Sequence, residues 1–337
     1  MNISDIAKKA QVSTATVSRV INNSSSVRPK TREHVLRVIE ECGYTPSAVA
    51  KNLSVQTTHS VGVIFPDIEN PFFSSALIGV TQVAEQNCYV VSYFNSDETA
   101  KKEQRFLRVV REQRLDGVIV SPADQYSKRT RQTLEQFERS GVAVVLLDRD
   151  LDGGRFSLVN TEDRDGAYRA VKQLIQVGHR RIAIVRGSPS NSPVFNRYAG
   201  YLEAISEAGL PLREEYIRPA DQKSELAYRV TGELLNLKEP PTAIFTCNNM
   251  MTLGCLRYLT EHGLVPGRDV ALIGFDDIET LRVIGYPLSV VDRSSKEMGK
   301  AAMELLIQRL EHPNTEKKVV TIPTQMILRG SERIKHP

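Results

Sequence analysis

Short polar side chains and one arginine are concentrated near the start of the chain, where their types suit contacts with DNA. They are Thr14, Ala15, Thr16, Ser18, Arg19 and Asn22. An arginine can bond a guanine edge or a phosphate, and a threonine or alanine is small enough to touch a thymine methyl group. Hydroxyl and amide groups can bond phosphates. The same residues would also suit the surface of an ordinary three-helix packing module.

Three predicted helices position these residues. Ser4 is the expected N-cap of the first helix, and Ser13 is the expected N-cap of the second, which covers residues 14–22. The third helix is expected over about 29–42, with a proline in its first turn and a glycine after its end. Two short helices joined by a tight turn and braced by a third form a helix–turn–helix unit, whose second helix enters the major groove.

The positive charge of the chain lies in this first segment. Residues 1–60 hold eight basic and four acidic residues, which leaves 36 of each kind in the remainder. A basic module attached to a neutral body is what a phosphate-binding head would look like. Charge alone does not separate this interpretation from a chance asymmetry on a solvated surface.

The exact order of residues points to one family. The string from Ile6 to Asn22 strongly resembles the DNA-binding head of the lactose/purine/galactose repressor family, and so do Lys30–Glu33 and Gly43–Pro46. The resemblance implies an all-α helix–turn–helix head over 1–45 that binds double-stranded operator DNA. It adds Ser4 to the expected DNA contacts.

A short segment after the head resembles the hinge of the same family. Residues 46–53 are too few to form a stable helix alone. In the family this segment folds on operator DNA, and two copies lie side by side in the minor groove while a leucine wedges between base pairs. Leu53 occupies that position, and Ala50 is the other expected DNA contact. The hinge and linker are expected over 46–59.

From residue 60 onwards, predicted strands alternate with predicted helices. The strands are expected at 61–65, 89–93, 117–120, 142–147, 181–185, 242–246 and 270–274. Near-continuous β-branched runs between amphipathic helices indicate buried parallel strands in doubly wound α/β sheets. Because the rhythm restarts after about residue 157, we expect two lobes, with a ligand in the crevice that the strand ends face.

The whole body resembles the effector domain of that repressor family and, more distantly, the periplasmic sugar-binding fold. The family markers are Pro66–Phe73, Gly178–Ala183, Arg197–Tyr201, Gly274–Asp277 and Met298–Gly299. The resemblance implies an effector-binding and dimerisation domain over 60–337, in which the chain crosses between lobes near 160, 290 and 320. The N-lobe is then expected to hold about 60–159 and 291–320, and the C-lobe about 160–290 and 321–330.

The same resemblance assigns an effector pocket. Its expected residues are Asn70, Phe72, Asp148, Arg149, Arg197, Gln222, Asn248, Asp276 and Arg293. Carboxylates, amides and arginines can pair with the vicinal hydroxyl groups of a sugar, and an aromatic ring can pack on its apolar face. Taken singly, Asp276 could be a helix cap and Arg197 could form a surface ion pair.

Several positions depart from the family pattern. Asn249 stands where an aspartate is common, Arg186 where a small residue is common, and Gln222 where an aromatic wall is common. Glu162 and Asp163 replace a common Asp-Asn pair. One acid fewer and extra arginines would favour an anionic effector, such as a sugar acid or sugar phosphate, by Coulomb attraction. A neutral sugar remains open, and in that case the extra arginines form structural ion pairs.

Other functional classes lack support in the sequence. No nucleophile elbow, phosphate-binding loop or metal-binding pattern occurs, so we expect no enzyme activity, cofactor or metal. A transport receptor would need a signal peptide and no basic head, whereas this chain shows neither a signal peptide nor a membrane-spanning run. We therefore expect a cytoplasmic protein. No leucine heptad follows residues 326–328, which favours a homodimer over a tetramer.

Overall fold

The chain folds into two compact units, Met1–Thr58 and His59–Pro337. The computed structural model describes residues 1–21, 24, 26–44, 58–221 and 223–333. The expected hinge residues Ala50 and Leu53 therefore lie outside the described residues, as do Asn22 and Gln222. Within the described part of the chain, no helix is both long enough and apolar enough to cross a membrane.

The first unit consists of three helices around a small apolar core. The helices are α1 Ile3–Lys9, α2 Thr14–Ile21 and α3 Pro29–Glu41. The buried core residues are Ile6, Ala7, Ala10, Val17, Val20, Val35 and Val38. Since Val17 and Val20 lie one turn apart on α2, that helix presents its opposite face to solvent. The predicted helix–turn–helix arrangement is confirmed.

The predicted N-cap of α1 was wrong. The helix begins one residue before Ser4, and the Oδ1 atom of Asn2 accepts the backbone N–H groups of Ser4 at 2.9 Å and Asp5 at 3.1 Å. The Asp5 carboxylate accepts the Asn2 backbone N–H at 2.8 Å, which completes a capping box. At α2, the Ser13 hydroxyl accepts the Thr16 backbone N–H at 3.1 Å, as expected of an N-cap.

The second unit alternates strands and helices. Its strands are β1 Ser60–Phe65, β2 Val90–Asn95, β3 Gly117–Val120, β4 Ala143–Leu147, β5 Ser157–Thr161, β6 Ile182–Arg186, β7 Ile217–Pro219, β8 Ala243–Thr246, β9 Ala271–Phe275, β10 Ser289–Arg293, β11 Val319–Ile322 and β12 Thr324–Ile327. Its helices are α4 Pro71–Gln86, α5 Ala100–Glu112, α6 Lys128–Arg139, α7 Asp163–Gln176, α8 Ser192–Glu207, α9 Ser224–Leu235, α10 Asn249–Glu261, α11 Glu279–Val283 and α12 Ser295–Glu311, with a 3-10 turn at Glu214–Tyr216.

These elements form two lobes, each built on a six-stranded sheet. The N-lobe sheet has the order β11-β5-β4-β3-β1-β2 and is parallel throughout. The C-lobe sheet has the order β12-β10-β9-β8-β6-β7, and its edge strand β12 runs antiparallel to β10. The predicted fold of two doubly wound lobes is confirmed, although β5, β7, β10 and β11 were not among the predicted strands and the edge strand β12 is antiparallel.

The crossings between the lobes fall slightly later than predicted. Thr161 still pairs with Ile322 in the N-lobe sheet, so the first and third crossings follow these two residues. Arg293 pairs with Thr324 in the C-lobe sheet, so residues 291–293 belong to the C-lobe and not, as expected, to the N-lobe. None of the family markers covers the ends of β5, β10 or β11, so the sequence could not show how far the pairing of these strands extends.

Candidate functional site

The strand ends of the two lobes bring most of the predicted effector residues to one cavity. Because the carboxyl ends of parallel strands meet at one edge of a sheet, Asn70 after β1, Asp148 after β4, Asn248 after β8 and Asp276 after β9 line the cleft. The other predicted residues at this cavity are Phe72, Arg149, Arg197 and Arg293. The cavity is also lined by Phe73, Asn191, Pro193, Val194 and Cys247, which the sequence analysis did not predict.

Two of these residues have a backbone conformation that is rare for side chains other than glycine. Asp148 has φ of 67° and Asp276 has φ of 70°, and each follows the last residue of a strand. Aspartate and asparagine tolerate this left-handed region better than other side chains. The conformation turns the chain sharply at the sheet edge, where both carboxylates line the cleft.

The cleft is closed around its own side chains. The free cavity measures about 20 Å³, which is room for about one water molecule. Several hydrogen bonds between described residues join the lobes, and they include the following three. Asn249 Nδ2 donates to Asn70 Oδ1 at 2.9 Å, the Gln125 backbone N–H donates to the Ser190 carbonyl at 2.9 Å, and the Asp150 backbone N–H donates to the Ser192 hydroxyl at 2.9 Å.

Arg293 occupies the centre of the cleft, and its side chain is buried. Its Nε donates to Asp276 at 2.7 Å and its Nη1 donates to Asp148, so one guanidinium joins carboxylates of both lobes. The guanidinium lies over the ring of Phe72, 3.9 Å from the centroid. Burial by itself would lower the pKa of Arg293, but the charges of Asp148, Asp276 and Asp163 outweigh it and raise that pKa.

Arg197 is held within the C-lobe. Its Nε lies 2.7 Å and its Nη2 2.6 Å from Asp163 Oδ1, and its Nη1 donates to the Cys247 carbonyl. The helices that carry this pair are closely packed, because a Cβ on Gly200 of α8 would lie 2.1 Å from the Arg164 carbonyl of α7. The close approach brings Arg197 onto the first residue of α7.

Arg149 is held within the N-lobe. Its two Nη atoms each lie 2.7 Å from a different carboxylate oxygen of Glu98, a bidentate pair. Each of the three cleft arginines therefore has a carboxylate partner. Arg186 does not line the cavity; it packs over Tyr198, 4.6 Å from the ring centroid. The arrangement agrees with the structural ion pairs that the sequence left open for Arg149 and Arg293, whereas Arg186 forms no ion pair with a residue that the structure describes.

Asn249 has a defined role in this arrangement. Its Nδ2 donates across the cleft to Asn70, and its Oδ1 accepts the Met250 backbone N–H at 2.7 Å. The aspartate common in the family could not donate the first of these bonds, since an ionised carboxylate only accepts. The asparagine at position 249 thus forms a contact between the lobes that an aspartate could not form.

The predicted DNA contacts that the structure describes in the first unit lie on α2, except for Ser4. Thr14, Ala15 and Arg19 are exposed on α2, and Thr16 and Ser18 are half-buried. The Thr16 hydroxyl bonds the Ser13 hydroxyl at 2.9 Å, so it already has one partner. Ser4 is exposed on α1. The face of α2 opposite the core is open to a partner.

Comparisons with known proteins agree with both units. Residues 2–47 match the model "Bacterial regulatory proteins, lacI family", and residues 171–332 match "Periplasmic binding protein-like domain". The chain is 32% identical over 329 residues to the "HTH-type transcriptional repressor PurR" of Pasteurella multocida, with 98% of each chain covered. It is 33% identical over 327 residues to the "Ribose operon repressor" of Haemophilus influenzae, with 97% of each covered.

Solved structures show the same similarity. The lac repressor dimer bound to operator and an anti-inducer has a TM-score of 0.85 at 25% identity, with 99% of both chains covered. A LacI-family regulator from Enterococcus faecium with bound ribose has a TM-score of 0.72 at 25% identity, covering 82% of this chain and 100% of that one. The transcriptional regulator CelR in complex with cellobiose has a TM-score of 0.74 at 27% identity, covering 98% and 99%.

Proposed function

Because the chain belongs to the lacI family of bacterial regulatory proteins, we propose that it is a sequence-specific transcriptional repressor controlled by an uncharged, sugar-like effector. The observation that carries the proposal is the cleft, in which carboxylates and amides from both lobes surround an aromatic ring. Such a set of groups suits vicinal hydroxyl groups and an apolar ring face. A ribose operon repressor among the relatives and a ribose-bound neighbour support a sugar as the ligand.

The charges of the cleft favour a neutral effector. Three arginines face four carboxylates, which are Glu98, Asp148, Asp163 and Asp276. An anion that recruits Arg197 or Arg293 must separate it from a buried carboxylate, and breaking a buried pair costs about 3–5 kcal/mol. A sugar hydroxyl can donate to a carboxylate oxygen and so offset the separation of that carboxylate from its arginine, whereas an anionic group offers only acceptors. Sugar acids and sugar phosphates are therefore disfavoured.

The DNA-binding half of the proposal rests on α2 and on a dimer. We infer that two copies of the chain present two heads to a pseudo-palindromic operator in the cytoplasm, and that Leu53 wedges between base pairs. Apolar side chains available to a second copy are exposed on both lobes, namely Ile78, Val90, Val283 and Ile284. Effector binding changes how the lobes close, and this change alters the affinity for DNA.

The experiment uses the full chain with operator fragments selected from random duplex DNA. Fluorescence anisotropy measures the Kd for the operator with neutral sugars, each paired with its sugar acid and its phosphate. We expect a neutral sugar to change the operator Kd more than its acid or phosphate does. A larger effect of the acids would overturn the effector class, and a failure to select any operator would overturn the repressor itself.

A further inference from the structure

A second cavity lies directly beside the effector cleft. It measures about 210 Å³ and is lined by Ser75, Asp277, Glu279, Asp292 and Lys296, among others. Phe72, Asp276 and Arg293 line both this cavity and the cleft. The guanidinium of Arg293 and the ring of Phe72, 3.9 Å apart, thus stand between the two spaces. We call this second space the side cavity.

Among the residues that the structure describes, one carboxylate of the side cavity forms no ion pair. Asp277 is bound on both oxygens by Arg329, each at 2.8 Å, and Glu279 lies 3.6 Å from Arg282. Asp292, in contrast, forms no ion pair with any residue that the structure describes. It accepts the Asp277 backbone N–H at 3.3 Å. Burial raises the pKa of Asp292, and the nearby Asp276 and Asp277 raise it further.

In this structure, Arg293 contacts the groups in the cleft that an effector would bind. It binds Asp148 and Asp276, two of the acceptors that the proposed function assigns to a sugar, and it covers the face of Phe72. The side cavity, at about 210 Å³, is many times larger than the roughly 10–15 Å³ that one water molecule needs on the same measure. It therefore has room for a guanidinium. Since Asp276 lines both spaces, the guanidinium of Arg293 can keep its bond to Asp276 while it moves from the cleft to the side cavity.

We propose that the side cavity receives the guanidinium of Arg293 when an effector enters the cleft, so that Arg293 and the effector compete for Asp148. The inference rests on the proposed function, because it assumes that the ligand binds in the cleft. Arg293 keeps Asp276, gains Asp292 and releases Asp148 of the N-lobe. The released carboxylate accepts effector hydroxyl groups, and the uncovered face of Phe72 packs on the sugar ring.

The exchange makes Arg293 the residue that selects the effector. A ligand must donate hydrogen bonds to Asp148 in place of the arginine, which a polyhydroxylated neutral molecule can do. An ionised acid offers only acceptors at its charged group, so it would hold Arg293 in the cleft and meet Asp148 with a like charge. The movement also removes the ionic link between the lobes, and so it connects effector binding to lobe closure.

Binding of D-ribose to the full chain tests the exchange by a double-mutant cycle. Asp292→Asn removes the charge that receives Arg293 but keeps an oxygen for the Asp277 N–H, and we expect D-ribose to bind about tenfold more weakly. Arg293→Met removes the guanidinium whose movement is proposed, and we expect Asp292→Asn to have no effect on D-ribose binding in that background. Asp165→Asn, an exposed position on α7, is the matched control. Equal effects of Asp292→Asn in both backgrounds would overturn the proposal.

A crystal structure of the ligand-free Asp148→Asn chain provides a test that needs no effector. Asparagine tolerates the left-handed backbone at this position, and the substitution removes the charge that holds Arg293 toward the N-lobe. We expect the guanidinium in the side cavity, within hydrogen-bond distance of Asp292, and back in the cleft when Asp292→Asn is added. If Arg293 stays in the cleft in the single variant, the exchange is wrong. Operator binding and its response to sugars would still decide the proposed function separately.

Discussion

The pair of Arg197 and Asp163 offers a measure of how much the cleft ion pairs contribute to stability. Both side chains are about 2% exposed, and Arg197 also donates to the Cys247 carbonyl. The substitution Arg197→Met keeps much of the side-chain volume but leaves a buried carboxylate and a buried carbonyl without their donor. A buried charge without its partner costs about 3–5 kcal/mol, and an unsatisfied buried acceptor costs about 1–3 kcal/mol.

The arrangement around Asp163 places the expected loss near the lower end of that sum. Arg293 lies 3.9 Å from Asp163 and continues to offset part of its charge. We therefore expect the free energy of unfolding to fall by about 4 kcal/mol. Adding Asp163→Asn removes the stranded charge, and the double variant should recover about half of the loss. Because the chain contains no tryptophan, urea-induced unfolding is followed by far-ultraviolet circular dichroism.

The loss also depends on pH, with a sign that the structure sets. Burial raises the pKa of Asp163, although the charges of Arg197 and Arg293 oppose this. Without Arg197 the folded chain binds a proton at this carboxyl more readily than the unfolded chain does. Stability of the variant relative to the parent should then recover as the pH falls and decrease as it rises.

The matched control is Arg164→Met, since Arg164 lies beside Asp163 in sequence but forms an exposed pair with Glu203 at 2.9 Å. An exposed pair contributes about 0–1 kcal/mol, so this variant should lose little. A loss below about 1 kcal/mol for Arg197→Met, or a loss that does not vary with pH, would refute the reasoning.

Three further predictions concern other parts of the molecule. Arg19→Ala should weaken operator binding by about 1–3 kcal/mol in an anisotropy titration, because Arg19 is exposed on α2. Asn249→Asp should lower the melting temperature, since a carboxylate cannot donate to Asn70; the lost hydrogen bond contributes about 0.5–1.5 kcal/mol, because Asn70 Oδ1 still accepts the Phe72 N–H. Burial lowers the pKa of His179, so as the pH falls the unfolded chain binds a proton at this histidine before the folded chain does. The free energy of unfolding should therefore decrease as the pH drops from about 7 to about 5, and His179→Asn should reduce this dependence.

Each of these predictions has a control and a contrary result. Arg105→Ala, on an exposed face of α5, should leave operator binding unchanged, and an equal effect of both arginine variants would contradict the role of α2. An unchanged melting temperature for Asn249→Asp would show that the contact with Asn70 contributes nothing to lobe closure. If His179→Asn kept the full pH dependence, other groups would be responsible for it.

The sequence by itself determined the features that depend on neighbouring residues. The head was predictable because a helix–turn–helix unit is defined by a contiguous string, in which the spacing of Val17 and Val20 fixes which face of α2 is open. Seven parallel strands were predictable from β-branched runs, and the polar residues after several of them marked the cleft edge, whereas β5, β7, β10 and β11 were missed. The N-cap of α1 was missed because Asn2 and Ser4 are both good capping residues only two positions apart.

Only the tertiary structure decided what the cleft arginines do. Glu98 lies 51 residues before Arg149, and Asp148 lies 145 residues before Arg293, so neither pair leaves a pattern in the sequence. Counting arginines suggested an anionic ligand, whereas the structure pairs each of the three arginines that line the described part of the cleft with a carboxylate. The physical reason is that the electrostatic potential of a buried site depends on which charges face each other at hydrogen-bond distance, and composition carries no distances.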